Sequence, residues 1–199
     1  MYNIESNAPL HVALILGSAR QTGWTRKLAR ELAELAPAGL VLREVTIADL
    51  PLYHEEREEP APPTEWLRFR AEILATHAVL FVTPEYNRSV PAALKNAIDI
   101  GSSPDDHSVW AGKPAAIVSH SPGRMGGFGA NHHMRQSLVF LDMPVLQQPE
   151  VYLAQVDKLF DADGRLVVAP VRARLGAFLD AFSAWIATTK RHVREGASQ

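Results

Sequence analysis

The chain has 199 residues, 47% hydrophobic and 21% charged, which is a globular composition. Its formal net charge of −2 gives no basic surface for nucleic acid or an anionic membrane, and the lack of cysteine excludes disulfides and thiolate chemistry. The N-terminal stretch MYNIESNAPL does not have the pattern of a signal peptide. We therefore expect a cytoplasmic protein with one domain over residues 1–199 and loose ends at 1–9 and 193–199.

Strand-like and helix-like segments alternate along the chain. The apolar run LHVALIL at 10–16 predicts a strand that is buried on both faces. The spacing of Leu28, Leu32 and Leu35 predicts an amphipathic helix over 25–36. The other predicted strands are 41–47, 78–82, 114–120 and 150–154. The other predicted helices are 64–77 with Thr64 as its N-cap, 91–100, 131–142 and 171–192.

This alternation predicts an α/β fold with a five-stranded parallel sheet and helices on both faces. We take the sheet to be doubly wound with the strand order 2-1-3-4-5, one of the common orders for such folds. In that order the chain reverses direction between strands 1 and 3, and ligands bind there, outside the carboxyl ends of the strands. The loops after strands 1, 3 and 4, at 17–25, 83–91 and 121–131, are polar and rich in turn residues. The sequence therefore predicts a ligand site where these three loops meet.

The first loop, GSARQTGWT, has the composition of a phosphate-binding loop. Ser18, Arg20, Thr22 and Thr25 supply hydroxyls and a guanidinium beside a predicted helix N-terminus, whose free N–H groups favour an anion. The loop contains neither the Gly-Lys-Ser/Thr of a P-loop nor a G-x-G-x-x-G fingerprint. The alternative is that Ser18 and Thr25 only cap the helix.

The second and third loops have different turn chemistry. In TPEYNRSVP, Pro84 and Pro91 fix φ and stiffen a polar loop, as in many binding loops. In SPGRMGGFGAN, the glycines permit positive φ and the close approach of a flat ring. The alternatives are an ordinary strand-to-helix connection and a flexible glycine-rich loop.

The stretch TPEYNRSVPAALKNAID resembles the Pro-Glu-Tyr-Asn signature of the NAD(P)H-dependent FMN reductases. This flavodoxin-like family includes bacterial chromate and quinone reductases and azoreductases. The stretch GSARQTGWTRKLA resembles the family's phosphate loop, and 119–151 resembles its third loop and the helix that follows. The similarity extends from about Val12 to Leu153.

The resemblance implies a set of FMN-binding residues. Those at the phosphate are Ser18, Arg20, Gly23, Trp24 and Thr25; those along the isoalloxazine ring are Pro84, Glu85, Tyr86 and Asn87; those on its far side are Ser121, Gly123 and Gly126. Gly23 stands where the family usually has serine, so a backbone N–H must replace that hydroxyl. The role of Trp24 is open. Gly129 stands where arginine is common.

The resemblance also implies an FMN-dependent oxidoreductase with NADPH or NADH as co-substrate. It would take hydride onto the flavin and pass electrons to a quinone, an azo compound, a metal oxyanion or free flavin. A homodimer or homotetramer is implied, and we expect contacts in 91–100 and 143–150. The chemistry requires no protein acid or base, so we assign no catalytic residue.

A metal-dependent function and a purely electron-carrying function are the alternatives to this enzyme. The adjacent His132 and His133 cannot form an i,i+4 metal-binding pair, and the sequence predicts no metal site. The main alternative is an FMN-binding electron carrier or redox-sensing module that does not itself oxidise NAD(P)H. A net charge of −2 argues against the strongly acidic surface of such a carrier.

Overall fold

The computed structural model describes residues 8–104 and 107–196, with side chains up to residue 189. Five parallel strands form one sheet in the order β2-β1-β3-β4-β5, which confirms the predicted flavodoxin-like fold class. The strands are β1 Leu10–Leu16, β2 Leu40–Val45, β3 Ala78–Pro84, β4 Ala115–His120 and β5 Val151–Leu153. The central strands are apolar almost throughout, because both faces of the sheet are covered.

Helices cover the two faces of the sheet. They are α1 Trp24–Leu35, α2 Thr64–Leu74, α3 Ala92–Ser102, α4 Phe128–Phe140 and α5 Ala169–Gly196. On one face, Leu28 of α1 and Phe178 of α5 belong to one buried cluster. On the other face, Phe69 of α2, Leu94 of α3 and Met134 of α4 belong to a second buried cluster. The carboxyl ends of the strands are left free for the connecting loops.

The predicted N-cap of α2 and the predicted start of α4 differ from the structure, whereas α1, α3 and α5 begin within two residues of their predicted starts. The prediction that Thr64 caps α2 is wrong, because Pro63 occupies the N-cap position and the Thr64 hydroxyl bonds to Glu65. Helix α4 begins at Phe128, three residues earlier than predicted, after Gly127 in the left-handed conformation with φ of 79°. Glycine adopts that conformation without steric cost, so it starts the helix inside the loop.

The two ends of the chain are only partly covered by the described residues. Of the predicted loose segments 1–9 and 193–199, residues 1–7 and 197–199 lie outside the described residues, and α5 continues to Gly196. None of the helices in the described part of the chain has both the length and the apolar character needed to cross a bilayer.

Candidate functional site

Direct contacts join the loops that follow β1, β3 and β4. A Cβ on Gly17 would lie only 2.8 Å from Thr83 Oγ1, so the first loop crosses the end of β3 at close range. Thr25 Oγ1 lies 2.8 Å from Nε2 of His120, the last residue of β4. The loop after β1 and the first turn of α1 therefore contact the ends of β3 and β4, at the sheet edge where the strand order predicts a ligand site.

The loop after β1 turns tightly before α1. Ser18 Oγ accepts a hydrogen bond from Arg20 N–H at 3.4 Å, and the Arg20 carbonyl accepts one from Gly23 N–H at 3.1 Å. A Cβ on Gly23 would lie 3.1 Å from Arg20 Cβ and 3.2 Å from the Arg20 carbonyl oxygen. A side chain at 23 would therefore crowd the turn, which accounts for glycine where the resembling family has serine.

Helix α1 starts without a side-chain cap. Its N-cap is Gly23, and none of the described side chains makes a capping hydrogen bond there. The alternative in which Ser18 and Thr25 only cap this helix is therefore wrong. The N–H groups of Trp24 and Thr25 have no intrahelical acceptor, as at the start of any helix, and such groups attract an anion.

Arg20 is exposed, whereas the next two cations along the chain, Arg26 and Lys27 in α1, contact other side chains. Arg26 forms an ion pair with Glu44 on β2. Lys27 Nζ lies 4.3 Å from the centre of the Trp24 ring. Arg20 is therefore the cation best placed to meet a ligand in this loop.

The Trp24 ring packs against the protein. It stacks on Phe160 with 5.7 Å between ring centroids. Because the indole ring packs on Phe160, the backbone N–H of Trp24 is the group that can contact a ligand. Its assignment to a cofactor site stays a prediction.

The loop after β3 is a two-residue turn. Tyr86 and Ser89 exchange backbone hydrogen bonds of 3.0 and 2.9 Å. Between them, Asn87 and Arg88 have φ of 50° and 65°, the left-handed values that a type I′ turn requires at both central positions. Pro84 ends β3 just before the turn. Turn geometry and proline together make this loop rigid.

The Glu85 side chain fastens this turn to α4. Its Oε2 accepts a hydrogen bond from Ala130 N–H at 3.2 Å, and its Oε1 lies 3.4 Å from Arg88 Nη1. The Glu85 side chain is only 9% exposed. A carboxylate at a helix N-terminus is stabilised by the unpaired N–H groups and the helix dipole. Glu85 therefore acts as a clamp between two loops, and its backbone is the part that can meet a ligand.

Gly129 permits this clamp to form. A Cβ at this position would lie 2.6 Å from the Arg88 carbonyl oxygen and 3.0 Å from Glu85 Oε2. An arginine at 129, common in the resembling family, would push the turn away from α4. The departure at 129 thus follows from the close packing of the second loop on the helix.

A cavity of about 420 Å³ opens between the second and third loops. Ser121 Oγ accepts a hydrogen bond from Gly123 N–H at 3.0 Å, and a Cβ on Gly123 would meet no described atom within 4 Å except this hydroxyl, at 3.3 Å. That side of Gly123 is therefore open to a flat ligand. The cavity is lined by Glu85, Asn87, Arg88, Ser121, Gly123, Arg124 and Met125.

The predicted ring-binding residues occupy different places around this cavity. Glu85, Asn87, Ser121 and Gly123 line it, and Tyr86 is half exposed in the turn beside it. Gly126 is instead buried beneath the third loop, where a Cβ would lie 2.7 Å from the carbonyl carbon of Tyr152. The assignments of Pro84, Tyr86 and Gly126 to a cofactor site stay predictions.

Three residues of this region are not identified as site residues by the sequence patterns. Arg88 and Arg124 line the cavity. Neither belongs to a motif, and exposed arginines are too common for sequence to mark them. His120 is 3% exposed, and burial lowers its pKa to about 4, so its imidazole is neutral at pH 7. A histidine at a strand end carries no sequence signal for such a position.

Comparison with known proteins shows what this chain is similar to. A family profile described as NADPH-dependent FMN reductase matches residues 10–158. A quinone reductase from Pseudomonas putida is 58% identical over 175 residues, which cover 88% of this chain and 94% of that protein. An NAD(P)H-dependent FMN reductase from Pseudomonas aeruginosa is 40% identical over 172 residues, with 86% and 92% covered.

The chain is also similar to a solved structure of a flavoenzyme. FerB, a flavoenzyme NAD(P)H:(acceptor) oxidoreductase from Paracoccus denitrificans, is 35% identical to this chain, with a TM-score of 0.84. The match covers 90% of this chain and 98% of that one.

Proposed function

The chain belongs to the NADPH-dependent FMN reductase family and is an NAD(P)H-dependent FMN/quinone reductase, and on that premise we propose how its own residues hold FMN. The observation that carries this proposal is the joining of three loops at one sheet edge. One of them borders an uncapped helix N-terminus, and the other two enclose a polar cavity. The FMN phosphate would lie at the first loop and the isoalloxazine ring in the cavity, within one domain spanning residues 1–199.

The donors around the first loop fit a phosphate. The open N–H groups at the start of α1, the exposed Arg20 guanidinium and the Ser18 and Thr25 hydroxyls all favour an anion. The nearby cation Arg26 is paired with Glu44 and does not compete for this role. Gly23 contributes the turn, because its own N–H donates to the Arg20 carbonyl, and the N–H groups of Trp24 and Thr25 would replace the missing hydroxyl.

The cavity fits a flat, polar ring. Its second-loop side is a turn held rigid by its own hydrogen bonds and by the clamp from Glu85 to Ala130. Its third-loop side is the open face of Gly123 beside the Ser121 hydroxyl. A rigid wall opposite an open glycine face can hold a ring in one orientation.

The chain's residues bind and orient, and FMN when bound supplies the hydride and electron-transfer chemistry. We assign no protein acid or base, because no proton transfer from a side chain is required. Tyr86 and Asn87 position the ring edge, and the Glu85 clamp keeps their turn in place. The same cavity mouth would admit the nicotinamide donor and then the acceptor, in turn.

For electron acceptors other than quinones, we propose chemical classes and no individual compound. Arg88 and Arg124 border the cavity, and Arg88 is 78% exposed. Guanidinium groups favour anions, so they support the reduction of a metal oxyanion or of an acidic azo compound as well as free flavin. We also propose a cytoplasmic location, where NADH and NADPH are the available hydride donors.

We further propose that the chain forms a homodimer or homotetramer. A groove of about 640 Å³ lies between α3 and α4, and Phe140 at its border is 89% exposed. An exposed phenylalanine beside a groove is typical of an interaction surface. We therefore keep α3, which covers most of the predicted contact 91–100, as a proposed contact between subunits. The 143–150 segment is less suited, because Met143, Val145 and Leu146 are buried in the protein's own fold.

The proposed function is tested with purified protein reconstituted with flavin. We expect FMN, not FAD, to be released on denaturation, and we expect NADH or NADPH oxidation with both a neutral and an anionic benzoquinone. Parallel double-reciprocal lines would indicate that donor and acceptor use one site in turn. Binding of FMN without any NAD(P)H oxidation would favour the electron-carrier or sensor alternative instead.

A further inference from the structure

His120 and Thr25 form a buried pair between the two ends of the proposed FMN site. His120 ends β4 immediately before the cavity-lining Ser121, and Thr25 is the second residue of α1. Their exposed fractions are 3% and 1%, and His120 Nε2 lies 2.8 Å from Thr25 Oγ1. A hydroxyl has one proton, so the direction of this bond decides whether Thr25 keeps a proton to donate.

The surroundings of His120 determine that direction. No residue in the described part of the chain gives the buried Nδ1 atom a hydrogen-bond partner. If Nδ1 carried the ring proton, a buried N–H would lack an acceptor, which folded proteins avoid more strictly than an unused lone pair. An imidazolium would leave the same N–H unpaired and would place a charge in a desolvated position. The neutral Nε2–H tautomer remains, with His120 donating to Thr25.

In this arrangement the Thr25 hydroxyl retains its own proton. His120 is the one partner of Thr25 Oγ1 among the hydrogen bonds of the described residues. The hydroxyl lies in the first turn of α1, beside backbone N–H groups that also lack intrahelical acceptors. Several donors without acceptors at one place fit an anion with several acceptor oxygens, such as a phosphate.

We propose that His120 is a positioning residue for the cofactor phosphate: its Nε2–H donates to Thr25 Oγ1, so the Thr25 hydroxyl donates to the phosphate of FMN. This inference rests on the proposed function, because it requires the phosphate at the loop after β1. It assigns a role to a residue that neither faces the ring cavity nor belongs to the phosphate loop. It also links the two ends of the site through a single buried hydrogen bond.

The tautomer can be observed directly in the FMN-loaded protein. Nitrogen NMR of protein labelled at histidine should show His120 at pH 7 with a proton on Nε2 and none on Nδ1. Protonation of Nδ1, alone or together with Nε2, would overturn the inference. This readout requires no variant and no activity measurement.

Binding of FMN and riboflavin to substituted proteins tests the role itself. Thr25→Val removes the hydroxyl, and we expect the preference for FMN over riboflavin to fall about 10-fold or more. His120→Leu should lower that preference by roughly 2- to 10-fold, the range for one neutral hydrogen bond. His120→Gln, whose amide Nε2–H can replace the imidazole donor, should keep it. The double variant Thr25→Val with His120→Leu should lose no more than Thr25→Val alone.

The outcomes distinguish this inference from the proposed function. If both Thr25→Val and Arg20→Ala leave the FMN-to-riboflavin preference unchanged, the phosphate is not at this loop, and the proposed function's site is wrong. If Arg20→Ala lowers the preference but Thr25→Val does not, the phosphate site stands and this inference is wrong, because Thr25 does not donate to the phosphate. If Thr25→Val lowers the preference but His120→Leu does not, the phosphate site stands and the positioning role is wrong. If His120→Leu does not fold, failure of His120→Gln to retain the preference would contradict the role. Unchanged riboflavin affinity reports that each variant is folded.

Discussion

The carboxylate of Glu85, in the turn after β3, accepts a hydrogen bond of 3.2 Å from the backbone N–H of Ala130, in the first turn of α4. Glu85 lines the proposed ring cavity, and α4 directly follows the loop that forms the other side of this cavity. The bond therefore holds the turn after β3 against α4, and it satisfies an N–H that the helix itself cannot. A change at Glu85 should act on stability and on ring binding together.

We expect Glu85→Ala to lower the free energy of unfolding by about 1.5–3 kcal/mol, because it leaves the Ala130 N–H without its charged partner. Urea denaturation of the flavin-free protein measures the change. The matched control is Glu56→Ala, since the Glu56 side chain is 90% exposed. Equal stabilities of the two variants would show that Glu85 is not a clamp.

Gly129→Ala should be destabilising by about 1–3 kcal/mol, because its Cβ would lie 2.6 Å from the Arg88 carbonyl oxygen and the turn must move. Gly176→Ala is the control, since none of the atoms described in the structure would lie within 4 Å of a Cβ added to this helical glycine. Gly176→Ala should raise the free energy of unfolding by up to about 1 kcal/mol, because alanine has a higher helix propensity than glycine. Thermal unfolding that moves in the same direction for both variants would contradict the close-packing account.

His120 should make the flavin-free protein less stable in acid. Its folded pKa is about 4 against an ordinary value of 6.5, so the unfolded chain binds the proton more readily as the pH falls. Stability from the neutral, buried imidazole is complete above about pH 6.5 and is lost as the pH falls to about 4, by up to about 3 kcal/mol. His120→Gln should remove that part of the pH dependence, whereas the exposed control His54→Gln should retain it. Superimposable stability curves for all three proteins would contradict the burial argument.

Phe140→Asp should shift the oligomer towards monomer, because it places a charge on an exposed phenylalanine at the groove between α3 and α4. Light scattering at micromolar concentration measures the mass. Leu74→Asp on α2 is the control, since Leu74 is also exposed, at 63%, but does not line the groove. A monomeric native protein, or equal masses for both variants, would refute the proposed interface.

The fold was predictable because its signals are local. The run at 10–16 coincides with β1, and the alternation of strands and helices predicts the parallel sheet with helices on both faces, although not by itself the order of the strands. The contacts that build the site are not local. Glu85 and Ala130 are 45 residues apart, and Thr25 and His120 are 95 residues apart, so only the folded chain brings them together. The early start of α4 was missed because it depends on the positive φ of Gly127.

The central claim is that the loop after β1 holds the FMN phosphate, and Arg20 tests it most directly. Arg20 is the exposed cation of this loop, whereas Arg26 is paired with Glu44. We expect Arg20→Ala to weaken FMN binding about 10- to 150-fold and to flatten its salt dependence. Riboflavin, which lacks the phosphate, should bind as before, and the control Arg30→Ala, an exposed arginine later on α1, should change neither affinity. The decisive measurement is therefore the ratio of FMN to riboflavin affinity in Arg20→Ala by titration: a large fall confirms the phosphate site, and an unchanged ratio contradicts it.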